Sequence, residues 1–198
     1  MNLSDLEELH YITPIANVPS ILKLGILSNR EIKRRKLTAV SVAAEEIQER
    51  REPKVVPGAK PLHEYVNLYI CARNPMMYRR RSNHSEICVL RVSTEVLNFP
   101  KVVIADGNAA SGYTAFWSSP SGLSKIDKDT VFAEYWTDPD PITKLHKSRV
   151  KCAEVLVPDR VDPTLIAGCY VSSPEVEAVL NQDNRPPISI DPHLFFRG

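Results

Sequence analysis

The sequence predicts an α+β fold, because strand-like segments outnumber helical ones and the two kinds do not alternate along the chain. A short strand is expected at residues 11–13. Longer apolar or β-branched runs of the kind that form buried strands follow it, and an edge strand is expected near the end of the sequence. These segments are residues 65–72, 87–92, 101–105, 152–157, 165–171 and 188–196. A length of 198 residues fits a single domain over residues 1–198 that buries its own core.

Three helices are predicted from capping residues and apolar spacing. The first follows the initial strand, with Asn17 as its expected N-cap and Gly25 as the left-handed residue that ends it. The second covers residues 39–51 and ends before Pro53, which biases the preceding residue away from helical geometry. The third covers residues 174–180.

The segment of residues 106–150 shows little periodicity and is rich in Ser, Pro, Asp and Gly. A segment of this length without clear elements of its own is usually functional or mobile. We therefore expect it to take part in function rather than only to connect strands.

The charge balance excludes a chain that binds polyanions with its whole surface, because the net charge is only +1. The cations are nevertheless clustered, at residues 30–36, 79–81 and 144–151. Such clusters either form local positive patches that attract a phosphate-bearing partner or are simply solvated surfaces. The sequence alone leaves both interpretations open.

The cysteines and the apolar runs bear on location and metal content. Cys71, Cys88, Cys152 and Cys169 lie far apart without metal-ligand spacing, each in an apolar context. This arrangement is typical of reduced thiols in the core of a cytoplasmic protein, and no metal is expected. Residues 1–9 do not resemble a signal peptide, and no apolar run approaches the ~20 residues of a membrane span. We therefore expect no membrane association.

Glu154 stands alone in the apolar run Cys-Ala-Glu-Val-Leu-Val of residues 152–157. A buried carboxylate is costly unless it is paired, neutralised or used chemically. Strand alternation places Glu154 on the same face as Cys152 and Leu156, and we expect it at the edge of a buried sheet. The residue is either a catalytic carboxylate or a strand-edge acid paired with an arginine.

Four short motifs precede this glutamate. Residues 11–25 begin with Tyr-Ile-Thr and end with Gly, residues 47–51 are Ile-Gln-Glu-Arg-Arg, residues 62–66 are Leu-His-Glu-Tyr-Val, and residues 74–78 are Asn-Pro-Met-Met-Tyr. In this order, and together with Glu154, they resemble the DarT family of ADP-ribosyltransferases. These are toxins of toxin–antitoxin pairs that attach ADP-ribose from NAD to nucleic-acid bases. The resemblance covers residues 9–196.

The resemblance implies a single-domain ADP-ribosyltransferase-like fold, with a central mixed or antiparallel split β-sheet flanked by short helices. It implies an NAD-dependent mono-ADP-ribosyltransferase that modifies a base in single-stranded DNA, with NAD as donor substrate and a cognate antitoxin as partner. Two alternatives stay open at this point. One is the same chemistry on RNA, and the other is a non-catalytic module that senses NAD or another nucleotide.

Two residues are expected to carry the chemistry. Glu154 would stabilise the positive charge that develops on the ribose as the glycosidic bond of NAD breaks, and could take the proton from the attacking base nitrogen. The resemblance implies Arg51 as the second, with a guanidinium that holds phosphate or ribose oxygens. The other NAD-binding residues that it implies are Tyr11, Ile12, Thr13, Ser20, Leu27 and Ser28. The sequence departs from the family at Tyr11 and Asn108, where relatives often have histidine.

The resemblance places the acceptor-binding region in residues 106–150, together with the basic stretch of residues 144–151 that precedes Glu154. Aromatic side chains stack on unpaired bases, and cations hold the phosphate backbone. We therefore expect nucleic-acid contacts from Phe116, Trp117, Lys144, Lys147, Arg149 and Lys151. For the two aromatic residues, packing of the segment onto the core is the alternative. The reacting base must be unstacked, which favours a single strand over a duplex.

Overall fold

The computed structural model describes residues 1–38, 51–180 and 186–197. The predicted helix over residues 39–51 and the Ile-Gln-Glu-Arg-Arg motif lie outside these ranges, except for Arg51. Within them, no helix is both long and apolar enough to cross a membrane.

The described residues form one eight-stranded sheet and one separate two-stranded sheet. The strands are β1 (Leu9–Pro14), β2 (Ile26–Leu27), β3 (Tyr65–Tyr69), β4 (Ile87–Val92), β5 (Val103–Ala105), β6 (Phe116–Ser118), β7 (Glu154–Pro158), β8 (Arg160–Val161), β9 (Ile166–Val171) and β10 (Ile188–Ile190). The large sheet has the order β10-β9-β4-β1-β3-β7-β5-β6, and β2 pairs with β8. All its pairs are antiparallel except β9 with β10, so the sheet is mixed, as predicted.

The large sheet is split between β1 and β3. These two strands are joined at a single residue pair, His10 with Tyr69. By contrast, β1 pairs with β4 over six residues and β3 pairs with β7 over five. Away from that one pair the two strands separate. The backbone N–H and C=O groups with which β1 and β3 face each other therefore form no further hydrogen bonds between these two strands. The split opens a gap in the middle of the sheet.

The sheet is covered on both faces, which makes it a rigid support for the gap. One face carries the largest apolar cluster, in which Leu68, Leu90 and Val155 pack with residues of the helices that flank the sheet. Ile12 and Val89 belong to a smaller cluster on the opposite face. Because side chains alternate along each strand, Glu154 and Tyr69 lie on that opposite face as well.

The α-helices are short and lie around the sheet. Those in the described ranges are α1 (Val18–Leu24), α2 (Asn29–Arg34), α3 (Pro75–Arg79), α4 (Lys128–Phe132), α5 (Pro141–Val150) and α6 (Pro174–Leu180). The first and last of these confirm two predicted helices.

Asn17 and Gly25 flank α1 as predicted, but neither has the predicted cap conformation. Asn17 has helical backbone angles, and its side chain makes no capping hydrogen bond. Gly25 follows the helix with φ 86° and ψ 173°, a conformation that is open to glycine but is not left-handed helical. A Cβ at this position would lie 2.3 Å from the carbonyl oxygen of Val161, so the close approach of β8 also requires glycine.

The segment of residues 106–150 is more ordered than its composition suggests, because it contains β6, α4 and α5. Both helices start at an aspartate cap. Asp127 accepts the N–H of Thr130 at 3.2 Å, and Asp140 accepts that of Thr143 at 2.8 Å. This Asp-x-x-Thr spacing is a helix-start signal that the sequence contains. The lack of a buried apolar face on α5, where Ile142 is 77% exposed, removed the periodicity that would have revealed it.

Candidate active site

Glu154 is the first residue of β7, and its side chain is fully buried. Its Oε2 accepts hydrogen bonds from the side-chain amide of Asn67 and, at 3.4 Å, from Nη2 of Arg51. Its Oε1 accepts the backbone N–H of Ala109 at 3.1 Å. A buried carboxylate needs such donors, and here they hold both oxygens in place. The structure therefore brings together the two residues that we predicted to be catalytic.

The prediction that Glu154 lies at a sheet edge is wrong, because β7 is an interior strand. It pairs with β3 on one side and with β5 on the other. Glu154 lies opposite Tyr69, and Tyr69 lies opposite His10 at the one pair that joins the two halves of the sheet. The carboxylate therefore adjoins the split in the sheet rather than an outer strand.

A cavity of about 270 Å³ occupies the split. Residues of β1, α1, β2 and β3 converge on it, although they are distant in sequence. Among the residues predicted to bind NAD, those that line it are Tyr11, Ile12, Thr13, Ser20, Leu27 and Arg51. Aromatic rings, hydroxyl groups and a guanidinium together suit a sugar and a nitrogen heterocycle that carry phosphate.

Ser28 does not line this cavity. It is buried, and its Oγ accepts the N–H of Glu31 as the N-cap of α2. Its own N–H donates to the carbonyl oxygen of Asp159 at 2.9 Å. Ser28 therefore caps α2 and holds that helix beside the cavity, and its predicted contact with NAD stays a prediction.

Asn67 and Tyr69 belong to the site but were not predicted. Alternation along β3 places Tyr65, Asn67 and Tyr69 on one face of the sheet, and all three line the cavity of about 270 Å³. Asn67 is the one amide side chain in the strand Tyr-Val-Asn-Leu-Tyr, and a polar residue in such an apolar strand was a signal that the sequence contained. Burial, together with the negative charge of Glu154, raises the pKa of Tyr69 well above its usual value. Its hydroxyl therefore stays protonated and can donate a hydrogen bond.

The two positions where relatives often have histidine play different parts. Tyr11 lines the cavity of about 270 Å³, and burial raises the pKa of its hydroxyl group, which therefore remains a hydrogen-bond donor. The side chain of Asn108 does not line this cavity. Its Oδ1 accepts the N–H of Ala110 at 2.9 Å, so this side chain shapes the turn after β5.

A second cavity of about 180 Å³ adjoins Ala109, whose N–H donates to Oε1 of Glu154. Leu62 lines both cavities and so lies between them. The remaining residues that line the smaller cavity are Lys54, Val55, Val56, Pro57, Ser111, Gly112, Thr114 and Phe116. One oxygen of Glu154 is thus bonded to residues of the larger cavity and the other to a residue of the smaller cavity.

Arg149 supports the turn that positions Ala109. Its Nη1 donates to Oδ1 of Asp106 at 2.8 Å, and its carbonyl oxygen accepts the N–H of Asn108 at 3.1 Å. A Cβ on Gly107 would lie 2.5 Å from Nη1 of Arg149, so this close approach of the arginine side chain requires glycine at position 107. Arg149 therefore helps to hold the Ala109 N–H in place, and its predicted contact with nucleic acid stays a prediction.

The other predicted cations differ in exposure. Lys151 is 1% exposed, and its Nζ donates to the carbonyl oxygen of Val131 at 2.8 Å, so the prediction that it contacts nucleic acid is wrong. Lys147 forms an ion pair with Asp138 at 2.7 Å. Lys144 is exposed, with no ion pair to any residue that the structure describes. The basic stretch therefore presents less free positive charge than its sequence indicates.

Phe116 and Trp117 are consecutive residues of β6, so their side chains point to opposite faces of the sheet. Phe116 lines the smaller cavity. Trp117 packs against Gly122, where an added Cβ would lie 2.5 Å from the tryptophan Cβ, and Nζ of Lys125 lies 5.4 Å from its ring. Of these two rings, only that of Phe116 lines the smaller cavity.

Comparison with known proteins decides the family. A sequence model of the family described as "ssDNA thymidine ADP-ribosyltransferase, DarT" matches residues 10–196. The chain belongs to the DarT family. The resemblance drawn from the four motifs and Glu154 is thereby confirmed.

Two DarT relatives show how much of each chain is shared. A DNA ADP-ribosyl transferase–DNA ADP-ribosyl glycohydrolase fusion protein from Thermosipho africanus is 36% identical over 195 residues, which cover 96% of this chain and 49% of the fusion protein. A DNA ADP-ribosyl transferase from Thermus sp. (strain 2.9) is 29% identical over 138 residues, which cover 64% of this chain and 65% of the relative. The chain therefore spans about half the length of the first relative and about two thirds of the second.

Solved DarT structures confirm the fold. Thermosipho africanus DarTG in complex with ADP-ribose superposes with a TM-score of 0.83 at 35% identity, covering 96% of this chain and 51% of that chain. Thermus sp. 2.9 DarT in complex with ADP-ribosylated ssDNA superposes with a TM-score of 0.79 at 25% identity, covering 98% of both chains. The predicted α+β fold with a mixed, split sheet is that of DarT.

Proposed function

We propose that this chain transfers ADP-ribose from NAD to a thymine base in single-stranded DNA. The observation that carries the proposal is the position of Glu154, whose two oxygens are bonded to residues of two neighbouring cavities. One cavity can hold the donor and the other the acceptor. The substrate pair is supported by the Thermus sp. 2.9 DarT structures, one in complex with NAD+ and one in complex with ADP-ribosylated ssDNA.

The larger cavity is the proposed donor site. Tyr11, Ile12 and Thr13 lie on β1 where it faces the gap, and backbone groups there can pair with the carboxamide of nicotinamide. Arg51 presents its guanidinium to ribose or phosphate oxygens. Ser20 and Leu27 complete the wall on the side of α1 and β2.

In the proposed reaction, the bond between the anomeric carbon of the ribose and the nicotinamide nitrogen breaks, and its electron pair leaves with nicotinamide. The ribose gains positive charge, which the carboxylate of Glu154 stabilises in a buried site where charge interactions are strong. N3 of thymine, the one ring N–H of that base, bonds to the anomeric carbon. Its proton passes to Glu154, which acts as the general base.

The smaller cavity is the proposed acceptor site. Its volume of about 180 Å³ is suited to a single base, and Phe116 offers a ring on which that base can stack. Such a pocket admits a base only after it has left the stack of neighbouring bases. A single strand therefore reacts more readily than a duplex. Residues 106–150, which supply half of the residues that line this cavity, form the proposed acceptor region of a single domain.

The biological setting of a toxin is part of the proposal. The Thermosipho africanus relative is a fusion of the transferase to a DNA ADP-ribosyl glycohydrolase, which supports an antitoxin that removes the modification.

A cytoplasmic location is supported by the four cysteines, which are free thiols. Burial and the charge of Glu154 raise the pKa of Cys152 to about 12, so this thiol remains protonated.

The experiment that tests the proposal uses NAD labelled in its adenylate part. The purified chain is incubated with separate pools of single-stranded DNA, duplex DNA, RNA and protein, and each pool is then separated and counted. We expect label on single-stranded DNA, and only on oligonucleotides that contain thymidine. Label on RNA alone would move the acceptor while keeping the chemistry. Bound NAD without any transfer would favour the nucleotide-sensing alternative.

Filling the smaller cavity tests the assignment of donor and acceptor sites. Gly112 lines that cavity, and a Cβ added there meets no atom within 4 Å. We expect Gly112→Trp to lower the rate of DNA modification about 100-fold, because the indole occupies the space of the base. NAD affinity, measured by calorimetry, should not change. Gly112→Ala is the control and should retain full activity, and a Gly112→Trp variant with normal transfer would contradict the acceptor assignment.

The burial of Lys151 gives a second expectation. Because its Nζ does not reach solvent, Lys151→Met should leave the Kd for a labelled single-stranded oligonucleotide within about twofold. The melting temperature should fall, because methionine leaves the buried carbonyl oxygen of Val131 without its donor. Fluorescence anisotropy and thermal melting measure the two quantities. Weaker DNA binding by a Lys151→Met variant that is fully folded at the assay temperature would show that the lysine does face DNA.

A further inference from the structure

Tyr78, Trp136 and Phe196 form a cluster of edge-to-face rings outside both cavities. The ring centroids are 5.1 Å apart for Tyr78 and Phe196, 5.7 Å for Tyr78 and Trp136, and 5.9 Å for Trp136 and Phe196. The three rings come from α3, from the residues after α4, and from the end of the described chain. Only the folded chain assembles them.

Two arginines lie over these rings. The guanidinium carbon of Arg81 is 4.0 Å from the ring centroid of Tyr78, and that of Arg73 is 4.1 Å from the centroid of Phe196. A guanidinium plane that rests on a ring has a second face, on which an unpaired base can stack. Tyr135, which is 67% exposed and 5.9 Å from Arg73, adds a ring that is open to solvent.

The same region carries positive charge that the protein does not neutralise. Arg79, Arg80 and Arg81 are consecutive, and none of them forms an ion pair with a residue in the described ranges. Arg73 does pair with Glu134, at 3.0 Å. Exposed rings beside unpaired guanidinium groups are the combination that holds single-stranded nucleic acid. We call Tyr78, Tyr135, Trp136, Phe196, Arg73 and Arg79–Arg81 the aromatic–arginine surface.

The aromatic–arginine surface is continuous with the walls of the active site. Phe196 packs in one apolar cluster with Met76 and Tyr69, and both of these residues line the larger cavity. Tyr69 lies directly opposite Glu154 in the sheet. The aromatic–arginine surface therefore meets the wall of the larger cavity beside Glu154.

We propose that the aromatic–arginine surface binds the nucleotides that flank the reactive base, with bases stacked on its rings and phosphates on its arginines. The proposal rests on the proposed function, because it extends the acceptor site of that reaction. It also supplies the cations that the basic stretch of residues 144–151 lacks, since Lys147 and Arg149 are ion-paired and Lys151 is buried. Charge complementarity favours a polyanion over an apolar protein partner here.

The test measures the binding of labelled single-stranded oligonucleotides of about 4 and about 14 nucleotides, without NAD, by fluorescence anisotropy. The longer oligonucleotide should bind more tightly.

We expect Tyr135→Ala to weaken the binding of the longer oligonucleotide about 10-fold and to leave the affinity for the shorter one unchanged. Arg81→Ala should reduce the slope of log K against log salt by about 0.7. Arg81→Lys should keep that slope but bind more weakly than the wild type, because lysine has no plane on which a base can stack.

Lys101→Asn is the matched control. Lys101 is exposed, lies outside the aromatic–arginine surface, and has a φ of 63°, which asparagine tolerates. It should affect the two oligonucleotides alike. Unchanged affinity for the longer oligonucleotide in all surface variants, as expected of a protein-docking surface, would overturn the proposal even if DNA is modified. Surface-dependent binding without any transfer from NAD would instead support the surface and refute the proposed function.

Discussion

Replacing Glu154 with glutamine is expected to lower kcat for DNA modification by on the order of 10³-fold or more, because one change removes both the charge that stabilises the ribose cation and the base that takes the proton. The amide also brings a donor to a place where Asn67 and Arg51 already donate to Oε2. NAD affinity should fall only slightly, since the larger cavity remains intact. Transfer of label from NAD to a single-stranded oligonucleotide, followed at saturating NAD, measures the effect.

The control for this substitution is Glu95→Gln, which makes the same chemical change at an exposed position outside both cavities. It should have wild-type activity. Release of nicotinamide in the absence of DNA separates the two roles of Glu154. Hydrolysis of NAD by water needs the negative charge of the carboxylate but involves no proton transfer from thymine to Glu154. Retention of more than a tenth of the wild-type kcat by Glu154→Gln would refute the catalytic assignment.

Replacing Arg51 with glutamine is expected to lower kcat/KM for NAD about 100-fold. Arg51 lines the larger cavity, its side chain is 12% exposed, and its Nη2 lies 3.4 Å from Glu154. Its removal takes away a donor to the buried carboxylate and the cation of the proposed donor site. Part of the loss should therefore appear in KM and part in kcat, which steady-state kinetics with varied NAD can separate.

Arg51→Lys should recover part of this loss, because it restores the charge but not the planar fork of donors. The matched control is Arg30→Gln, which removes a guanidinium paired with Glu64 from a side chain that is 65% exposed. That control should retain activity. An Arg51→Gln variant with unchanged kinetics would show that this guanidinium does not contact the donor.

The sequence predicted the interior strands β1, β3, β4, β5, β7 and β9 well because each is buried on at least one face, and burial leaves an apolar pattern. β4 covers the predicted residues 87–92, and β7 covers most of the predicted run around Glu154. The helices α4 and α5 escaped prediction because α5 is largely exposed and α4 is short. Their aspartate caps were the local signal that remained.

The chemistry of the site could also be predicted in part. A lone carboxylate in an apolar strand, preceded by ordered motifs, pointed to Glu154 and Arg51, and the structure places them within hydrogen-bonding distance. Asn67 was marked only by being polar in an apolar strand. Ala109 contributes through its backbone N–H, which every residue except proline has, so its role had no signature in the sequence.

The sequence by itself determined the interior strands, the family and the residue types that can perform the chemistry, because all of these depend on the order and polarity of neighbouring residues. Only the tertiary structure decided which charges are free to act. Lys151 and Arg149 lie in a basic run, yet one is buried against a carbonyl group of α4 and the other braces the turn before Ala109. The hydrogen bond of Lys151 and the ion pair of Arg149 join residues that are 20 and 43 positions apart, and the pattern along a single segment does not encode such pairings.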